Sequence, residues 1–264
     1  MSRPEDINRL GARFFYGNAP AEGGGWEPHY ADNHLKDYST YSRRGLLEVH
    51  FDEIEERVVE ALSRATIAVG AVAWLTNERI LTSLAKVERT AIVVQKEDFL
   101  RRDAVVTNYP KWRINLHRLY DRLTPLCMSD MPEAYPGIQE GHPWDDGAVN
   151  HWVFNASGDF VNGGSSVRCI GYHSAPRSAM PRMHHKFLVL GQRHSGLVMI
   201  PEAVITGSFN MTFNATRSRE NILIVRDLEI VRAYLREWAQ LWAVSEPLDW
   251  TSSEPVFDTL DMGT

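Results

Sequence analysis

A histidine and a lysine stand two positions apart at the start of an apolar run, in the segment MHHKFLVL at 183–190. Successive side chains of a β-strand point to opposite faces of the sheet, so the pattern predicts that His184 and Lys186 share one face while His185 points to the other. An imidazole can act as a nucleophile or a general acid, and an ammonium group neutralises anionic charge. The spacing therefore suits attack on an anionic centre.

A second group of polar residues follows in the same stretch. The segment GSFN at 207–210 supplies Ser208 and Asn210, whose neutral donors share a face if the chain is extended there, and Glu220 precedes the apolar run ILIV. Lysine, hydroxyl and amide groups together suit the oxygens of a phosphate, and a carboxylate beside an imidazole fixes its tautomer. We therefore predict phosphoryl chemistry. The alternative is that the histidine pair begins a plain core strand and that GSFN is only a turn.

Apolar runs that alternate with amphipathic segments have to position these groups. Strands are predicted at 46–51, 66–75, 89–96 and 167–172, and helices at about 52–64, 76–87, 112–123 and 227–244. Asp52 and Asp227 are predicted helix N-caps, and Thr76 and Asn77 are predicted to open the second helix. This alternation predicts an α/β fold in which helices flank a layered central sheet that is mixed or mostly parallel.

The chain is predicted to hold a single catalytic domain over residues 46–250. Residues 1–45 are polar and contain the segment GNAPAEGGGWEP, so they are predicted to form an irregular arm, and residues 251–264 form a tail. Residues 125–165 are rich in Pro, Gly, Asp and aromatic side chains. A long segment without periodicity inside a domain is often functional, so we expect an insertion beside the site.

Charge and composition limit the range of functions. The 264 residues are 44% hydrophobic, which is enough for a sizeable core, and the net charge of -6 does not give the overall basic footprint of a nonspecific nucleic-acid binder. Arg182, Arg217 and Arg219 flank the polar stretch and are predicted to bind substrate, although such residues can also be a solvated surface.

The sequence predicts a cytoplasmic protein without a bound metal or other cofactor. The segment MSRPEDINRL lacks the apolar core of a signal peptide, and no run approaches the roughly 18 apolar residues of a membrane span. Cys127 and Cys169 are too few for a disulfide framework or a thiolate zinc site. No histidine pair has the helical spacing that is typical of zinc proteases.

The segments MHHKFLVL, VITGSFNMT and RENILIV resemble the HKD motif of the phospholipase D superfamily. The segments EVHF, ATIAVGAVAWLTNERILTSLA and TAIVVQ are similar to the N-terminal half of that family. The resemblance extends over residues 46–244, apart from the insertion. Because the chain has one such motif, it resembles the members in which two chains build one active site, most of which cleave nucleic acid and some of which act on lipids.

The resemblance implies a role for each motif residue. His184 would attack phosphorus and form a phosphohistidine, and the same histidine of a second subunit would protonate the leaving oxygen. Lys186, Ser208 and Asn210 would hold the nonbridging oxygens, and Glu220 would orient the imidazole. No metal ion would be required.

One position departs from the family pattern. The family's aspartate lies five positions after the lysine, where this chain has Gly191. We expect this change to alter local packing more than chemistry. The sequence thus predicts a homodimeric, metal-independent phosphodiesterase that cleaves DNA or RNA. The alternatives are a phospholipid hydrolase and a catalytically degenerate binding or scaffold protein.

Overall fold

The computed structural model describes residues 11–20, 26–34, 46–101, 110–126, 165–173, 181–194, 198–218 and 220–250. The strands are β1 (Gly11–Pro20), β2 (Trp26–His34), β3 (Leu47–His50), β4 (Ile67–Val72), β5 (Arg89–Gln95), β6 (Val167–Ile170), β7 (Lys186–His194), β8 (Val198–Gly207) and β9 (Ile222–Val225). The α-helices are α1 (Ile54–Leu62), α2 (Glu78–Leu84), α3 (Lys111–Tyr120) and α4 (Leu228–Ala243).

Seven of the strands form one mixed sheet in the order β3-β9-β8-β7-β4-β5-β6. Strand β4 pairs in parallel with β5, and β5 pairs in parallel with β6. The other four neighbouring pairs are antiparallel. The predicted α/β class and the mixed sheet are confirmed, but the mostly parallel alternative is wrong. Only three residues separate β7 from β8, which is too short for the crossover that a parallel pair requires.

Helices cover both faces of this sheet, which explains the continuous apolar strands. Every residue of β4 is buried. Its alternate residues Ala68 and Val72 pack in one core with α1, α2 and α3, while Val69 and Ala71 pack in a second core with α4. A strand covered on both faces is apolar at every position, as IAVGAV is.

The described parts of the N-terminal arm, Gly11–Pro20 and Trp26–His34, are strands and not irregular. Strands β1 and β2 pair antiparallel, with Phe14 opposite Ala31 and Phe15 opposite Tyr30. Aromatic residues favour strands, but here the polar residues around them hide the period, and cross-strand pairing decides the conformation. The division into an arm, a domain and a tail stays a prediction.

The predicted cap Asp227 is confirmed, and of the two residues predicted to open α2 it is Asn77 that forms the cap. The Asn77 side chain accepts a hydrogen bond from the backbone N–H of Ile80, and Asp227 accepts one from Glu229. The predicted cap Asp52 is wrong, because α1 begins after Glu53, which has a φ of 53° and makes no side-chain cap hydrogen bond. The left-handed conformation of Glu53 turns the chain from β3 into the helix.

Two predicted segments are largely beyond the described ranges. Residues 127–164 of the predicted insertion and the whole tail at 251–264 lie outside the residues that the structure describes. Among the helices that are described, none combines the length and the apolar character that a membrane crossing would need.

Candidate active site

The chemically interesting residues meet at one edge of the sheet. Strand β7 begins with Lys186 and the antiparallel β8 ends with Gly207, so the segments just outside both strands lie side by side. Strand β9 begins there as well, with Ile222 paired to Gly207. The topology therefore brings the segment before β7, the GSFN segment after β8 and the residues before β9 to the same edge.

His184 and Lys186 touch each other. The Lys186 Nζ lies 3.0 Å from His184 Nδ1 and 3.3 Å from Nε2, and it donates a hydrogen bond of 2.8 Å to the His184 carbonyl oxygen. His185 turns to the other layer, where its Nε2 lies 3.2 Å from Glu237 Oε1 on α4. The predicted division of these side chains between two sides of the strand is confirmed. Their catalytic roles stay predictions.

The surroundings favour a neutral imidazole at position 184. Burial lowers the pKa of His184 below its ordinary value of 6.5, and the positive charges of Lys186, Arg182 and His185 lower it further. Burial also lowers the pKa of the Lys186 ammonium group, while the charge of Glu220 opposes that change. A neutral imidazole keeps a free electron pair, so the site holds a nitrogen that is able to attack an electrophile.

Ser208 and Glu220 form a hydrogen-bonded pair. The Ser208 Oγ donates to Glu220 Oε2 at 2.5 Å and accepts from the backbone N–H of Asn221 at 3.1 Å. Gly207 makes this approach feasible, because its φ is 150° and a Cβ atom there would collide with the Asn221 carbonyl oxygen. The hydrogen-bond partner of Glu220 is thus Ser208. Its predicted role in orienting the imidazole stays a prediction.

Asn210 has an acceptor without a donor among the described residues. Its side-chain Oδ1 is buried and makes no hydrogen bond there, while its backbone carbonyl accepts from Thr212 N at 2.6 Å. Buried polar atoms are nearly always paired, and exceptions are concentrated at functional sites. The amide is therefore poised to interact with a further group.

Trp74 contacts the histidine and Glu97 holds Trp74, although the sequence interpretation did not single them out. The Trp74 ring lies edge-on to His184, with ring centroids 5.3 Å apart. The Glu97 carboxylate accepts hydrogen bonds from Trp74 Nε1 at 3.1 Å and from Arg182 Nη1 at 2.8 Å. Arg182, a predicted substrate ligand, is therefore beside the site but held by Glu97.

Gln95 holds the segment that leads into His184. It is fully buried at the end of β5, and its Oε1 accepts a hydrogen bond of 2.8 Å from the backbone N–H of Met183. Its Nε2 donates to the carbonyl oxygens of Lys96 and Tyr172. The sequence analysis missed this residue. A polar side chain at the end of the apolar run TAIVVQ was the available signal.

Arg217 and Arg219 are the two other residues predicted to bind substrate. Arg217 ends a 3-10 turn at Asn214–Arg217, and its guanidinium carbon lies 4.6 Å from the centre of the Phe213 ring. It is exposed just beyond the GSFN segment. Arg219 lies outside the described residues.

Gly191 lies inside the sheet, away from the polar edge. It follows a bulge in the β7–β8 pairing and is five positions beyond Lys186, or about 16 Å along a strand. A Cβ atom at Gly191 would lie 2.5 Å from the Ile200 carbonyl oxygen and 2.9 Å from the Met199 methyl group. An aspartate would not fit there unless the backbone moved, which supports a packing effect of this substitution.

The described residues form no cluster of three or more His, Cys, Asp or Glu side chains that could hold a metal ion. The predicted absence of a metal and of other cofactors stays a prediction.

Comparison with known proteins places the chain in a family. The family described as "Cardiolipin synthase, PLD-like domain" matches residues 57–242. An uncharacterized protein of Acanthamoeba polyphaga mimivirus is 27% identical over 203 residues, which cover 77% of this chain and 67% of that protein. The mitochondrial cardiolipin hydrolase of Xenopus tropicalis is 47% identical over 66 residues, and the human one is 38% identical over 74 residues. These segments cover 25% and 28% of this chain, and only 27% and 26% of the two hydrolases.

Two solved structures are also similar to the chain. NucT from Helicobacter pylori has a TM-score of 0.42 and 11% identity, over 76% of this chain and 98% of that one. The phospholipase D family member Nuc from Salmonella typhimurium has a TM-score of 0.38 and 14% identity, over 76% and 95% of the two chains. Because the family match spans residues 57–242, more than half of the sequence, the chain belongs to the phospholipase D-like family of phosphodiesterases.

Proposed function

We propose that the protein is a metal-independent nuclease that cleaves DNA or RNA phosphodiester bonds in a site shared by two subunits. The observation that carries the proposal is the contact between Lys186 and His184, because it places a cation beside an imidazole whose pKa is lowered. A neutral nitrogen that can attack and a positive charge that can bind the phosphate oxygens therefore lie side by side.

In the first step, an imidazole nitrogen of His184 attacks phosphorus. The bond between phosphorus and the leaving oxygen breaks as the N–P bond forms, which gives a phosphohistidine. The leaving alkoxide needs a proton, and His184 of a second subunit supplies it as general acid. Lys186, Ser208 and Asn210 neutralise and hold the nonbridging oxygens.

In the second step, the histidine that gave up its proton takes one from a water molecule. The resulting hydroxide attacks phosphorus, the N–P bond breaks, and a phosphate monoester leaves. His184 is neutral again and the second histidine is again protonated, so the protons balance. One chain offers one His184, and the need for two separate histidine roles is the reason to propose a dimer.

Phospholipid hydrolysis is the second candidate. The cardiolipin hydrolases are the observation that favours it, because their matched segments are 38–47% identical to this chain in the frog and human proteins. Those segments amount to about a quarter of each hydrolase. The substrate of the whole relative therefore does not transfer with the match.

A substrate panel tests the proposal. Wild-type protein and His184→Ala are assayed on single-stranded DNA, duplex DNA, RNA, a chromogenic phosphodiester and cardiolipin vesicles, each with and without EDTA. We expect hydrolysis of nucleic acid and of the chromogenic ester by the wild type only, unaffected by EDTA. Hydrolysis restricted to cardiolipin would support the second candidate, and a loss of all activity with EDTA would contradict the metal-free mechanism.

Mixed dimers test the shared site. When an excess of His184→Ala protein is equilibrated with wild type, most wild-type chains become paired with an inactive one. We expect activity per wild-type chain to fall towards zero, and active material to sediment as a dimer. A catalytically active monomer would overturn the shared site without affecting the assignment of His184.

A further inference from the structure

A cleft of about 1230 Å³ opens beside the candidate site. Its lining includes Trp74, which contacts His184, and Thr212 and Phe213, just after the GSFN segment. We call it the side cleft. The remaining lining comes mainly from the first three helices and the segments next to them. Trp74 therefore belongs both to the lining of the cleft and to the surroundings of His184.

Aromatic rings are exposed along this cleft. Trp112 on α3 is 53% exposed and Phe213 is 59% exposed. Phe99 also lines the cleft, with its ring centroid 5.6 Å from that of Trp112. Large exposed aromatic side chains in a concave surface are typical of places where a ligand packs. The cleft thus offers flat apolar surfaces to whatever lies next to the reacting phosphate.

The rest of the lining is mostly polar and carries charges of both signs, because Glu55 and Glu78 also line the cleft and Arg79 is paired with Glu55. The cleft is lined by the amides of Asn115 and Asn214 and the hydroxyls of Thr212 and Thr216, and the exposed Lys86 stands at its side. Arg217 lies over the Phe213 ring. Val59, Leu116 and Leu119 are the aliphatic residues of the lining, which is otherwise polar or aromatic and so offers acyl chains little surface. The exposed rings, the neutral donors and the cations Lys86 and Arg217 suit a chain of bases joined by phosphates.

We propose that the side cleft binds a single strand of nucleic acid next to the scissile phosphate, with unpaired bases stacked on Trp112 and Phe213. The proposal rests on the proposed nuclease function, because the strand must lead to His184. Arg217 would contact a backbone phosphate from its position over Phe213. A duplex cannot stack in this way, since its bases are already paired and stacked with each other, so the cleft would favour single-stranded substrates.

The test uses full-length Trp112→Leu, Phe213→Leu and the double variant. Ile114→Ala is the matched control, because Ile114 is an exposed apolar residue of the same helix and does not line the side cleft. We expect the double variant to lose about 10-fold or more in kcat/KM on a single-stranded oligonucleotide, the order that one stacked base contributes. Activity on a chromogenic phosphodiester should be unchanged, and Ile114→Ala should behave as wild type.

Binding separates a failure of this proposal from a failure of the proposed function. The anisotropy of a labelled single-stranded oligonucleotide is measured with His184→Ala protein, with and without the two aromatic substitutions, after circular dichroism has shown that each variant is folded. Weaker binding of the aromatic variants supports the cleft even if the wild type proves inactive. Unchanged single-strand binding overturns it, and so does an equal loss of duplex binding or a loss restricted to cardiolipin vesicles.

Discussion

The start of strand β7 and its interior have opposite surroundings. At its start, His184 is exposed, Lys186 is partly exposed, and the pKa of each group is lowered by its surroundings. Five residues further on, Gly191 is buried and has no room for a single additional carbon atom. A motif position can therefore be close to the reacting residues in sequence and still serve the packing of the sheet.

The largest expected effect comes from removing the His184 side chain, just before the start of β7. His184→Ala removes the proposed nucleophile, so kcat should fall by about 1000-fold or more. The matched control is His185→Ala, because His185 is the adjacent histidine but faces Glu237 on the other layer. Steady-state rates on a chromogenic phosphodiester measure both. If the two substitutions reduced kcat equally, the distinction between the two faces would be wrong.

Restoring the family's aspartate at position 191 tests the tightly packed interior of β7. Gly191→Asp pushes a side chain against the Ile200 carbonyl and Met199, so the free energy of unfolding should fall by about 1–3 kcal/mol. Urea denaturation measures the loss, and Gly191→Ala should show a smaller one. The folded fraction of the aspartate variant should keep the wild-type kcat. A stable variant with raised activity would show that the position serves chemistry after all.

The substitution Gln95→Leu tests whether Gln95 positions the segment that leads into His184. It removes the acceptor for Met183 N and the donor for two carbonyl oxygens, and thereby loosens the segment that ends at His184. Misplacing the nucleophile should lower kcat by about 10-fold with little change in KM. If Gln95 were important only for stability, the unfolding midpoint would drop while kcat per folded molecule stayed constant.

The smallest expected effect is a shift in pH dependence. Burial and Lys186 are the larger causes of the low pKa of His184, and Arg182 adds to them. Removing that charge in Arg182→Gln should raise this pKa. Because the attacking His184 must be neutral, activity is lost as the pH falls through its pKa, so the acidic limb of kcat/KM should move to higher pH. An unchanged limb, or one displaced to lower pH, would contradict the electrostatic role of Arg182.

The sequence predicted best what depends on neighbours along the chain. Strand β4 is apolar at every position, and β5 and β7 contain the apolar runs AIVV and FLVL. Asn77 and Asp227 cap their helices through bonds to residues two or three positions away. Such patterns are local, so they can be read directly. The HxK and GSFN segments reach one edge because two adjacent strands are antiparallel.

Contacts between segments that are distant in the chain were not predicted from the sequence. Trp74 lies 110 positions from His184, and the bond from Met183 to Gln95 spans 88 positions. No local period encodes either contact. The pairing of β1 with β2 was missed for a related reason, because it depends on the register between two polar segments. The N-cap of α1 was missed because the turn relies on a left-handed backbone at Glu53, which glutamate rarely adopts.

Strand β7 is the fourth of seven in the sheet, with three strands on either side. To release it, the chain would have to break two ladders of hydrogen bonds, to β4 and to β8. Segments held in this way usually open only when the whole domain unfolds, whereas edge strands fray on their own. The position of Lys186 at the start of β7 therefore ties the lifetime of the reactive pair to that of the entire domain. On heating, activity and tertiary structure should disappear together.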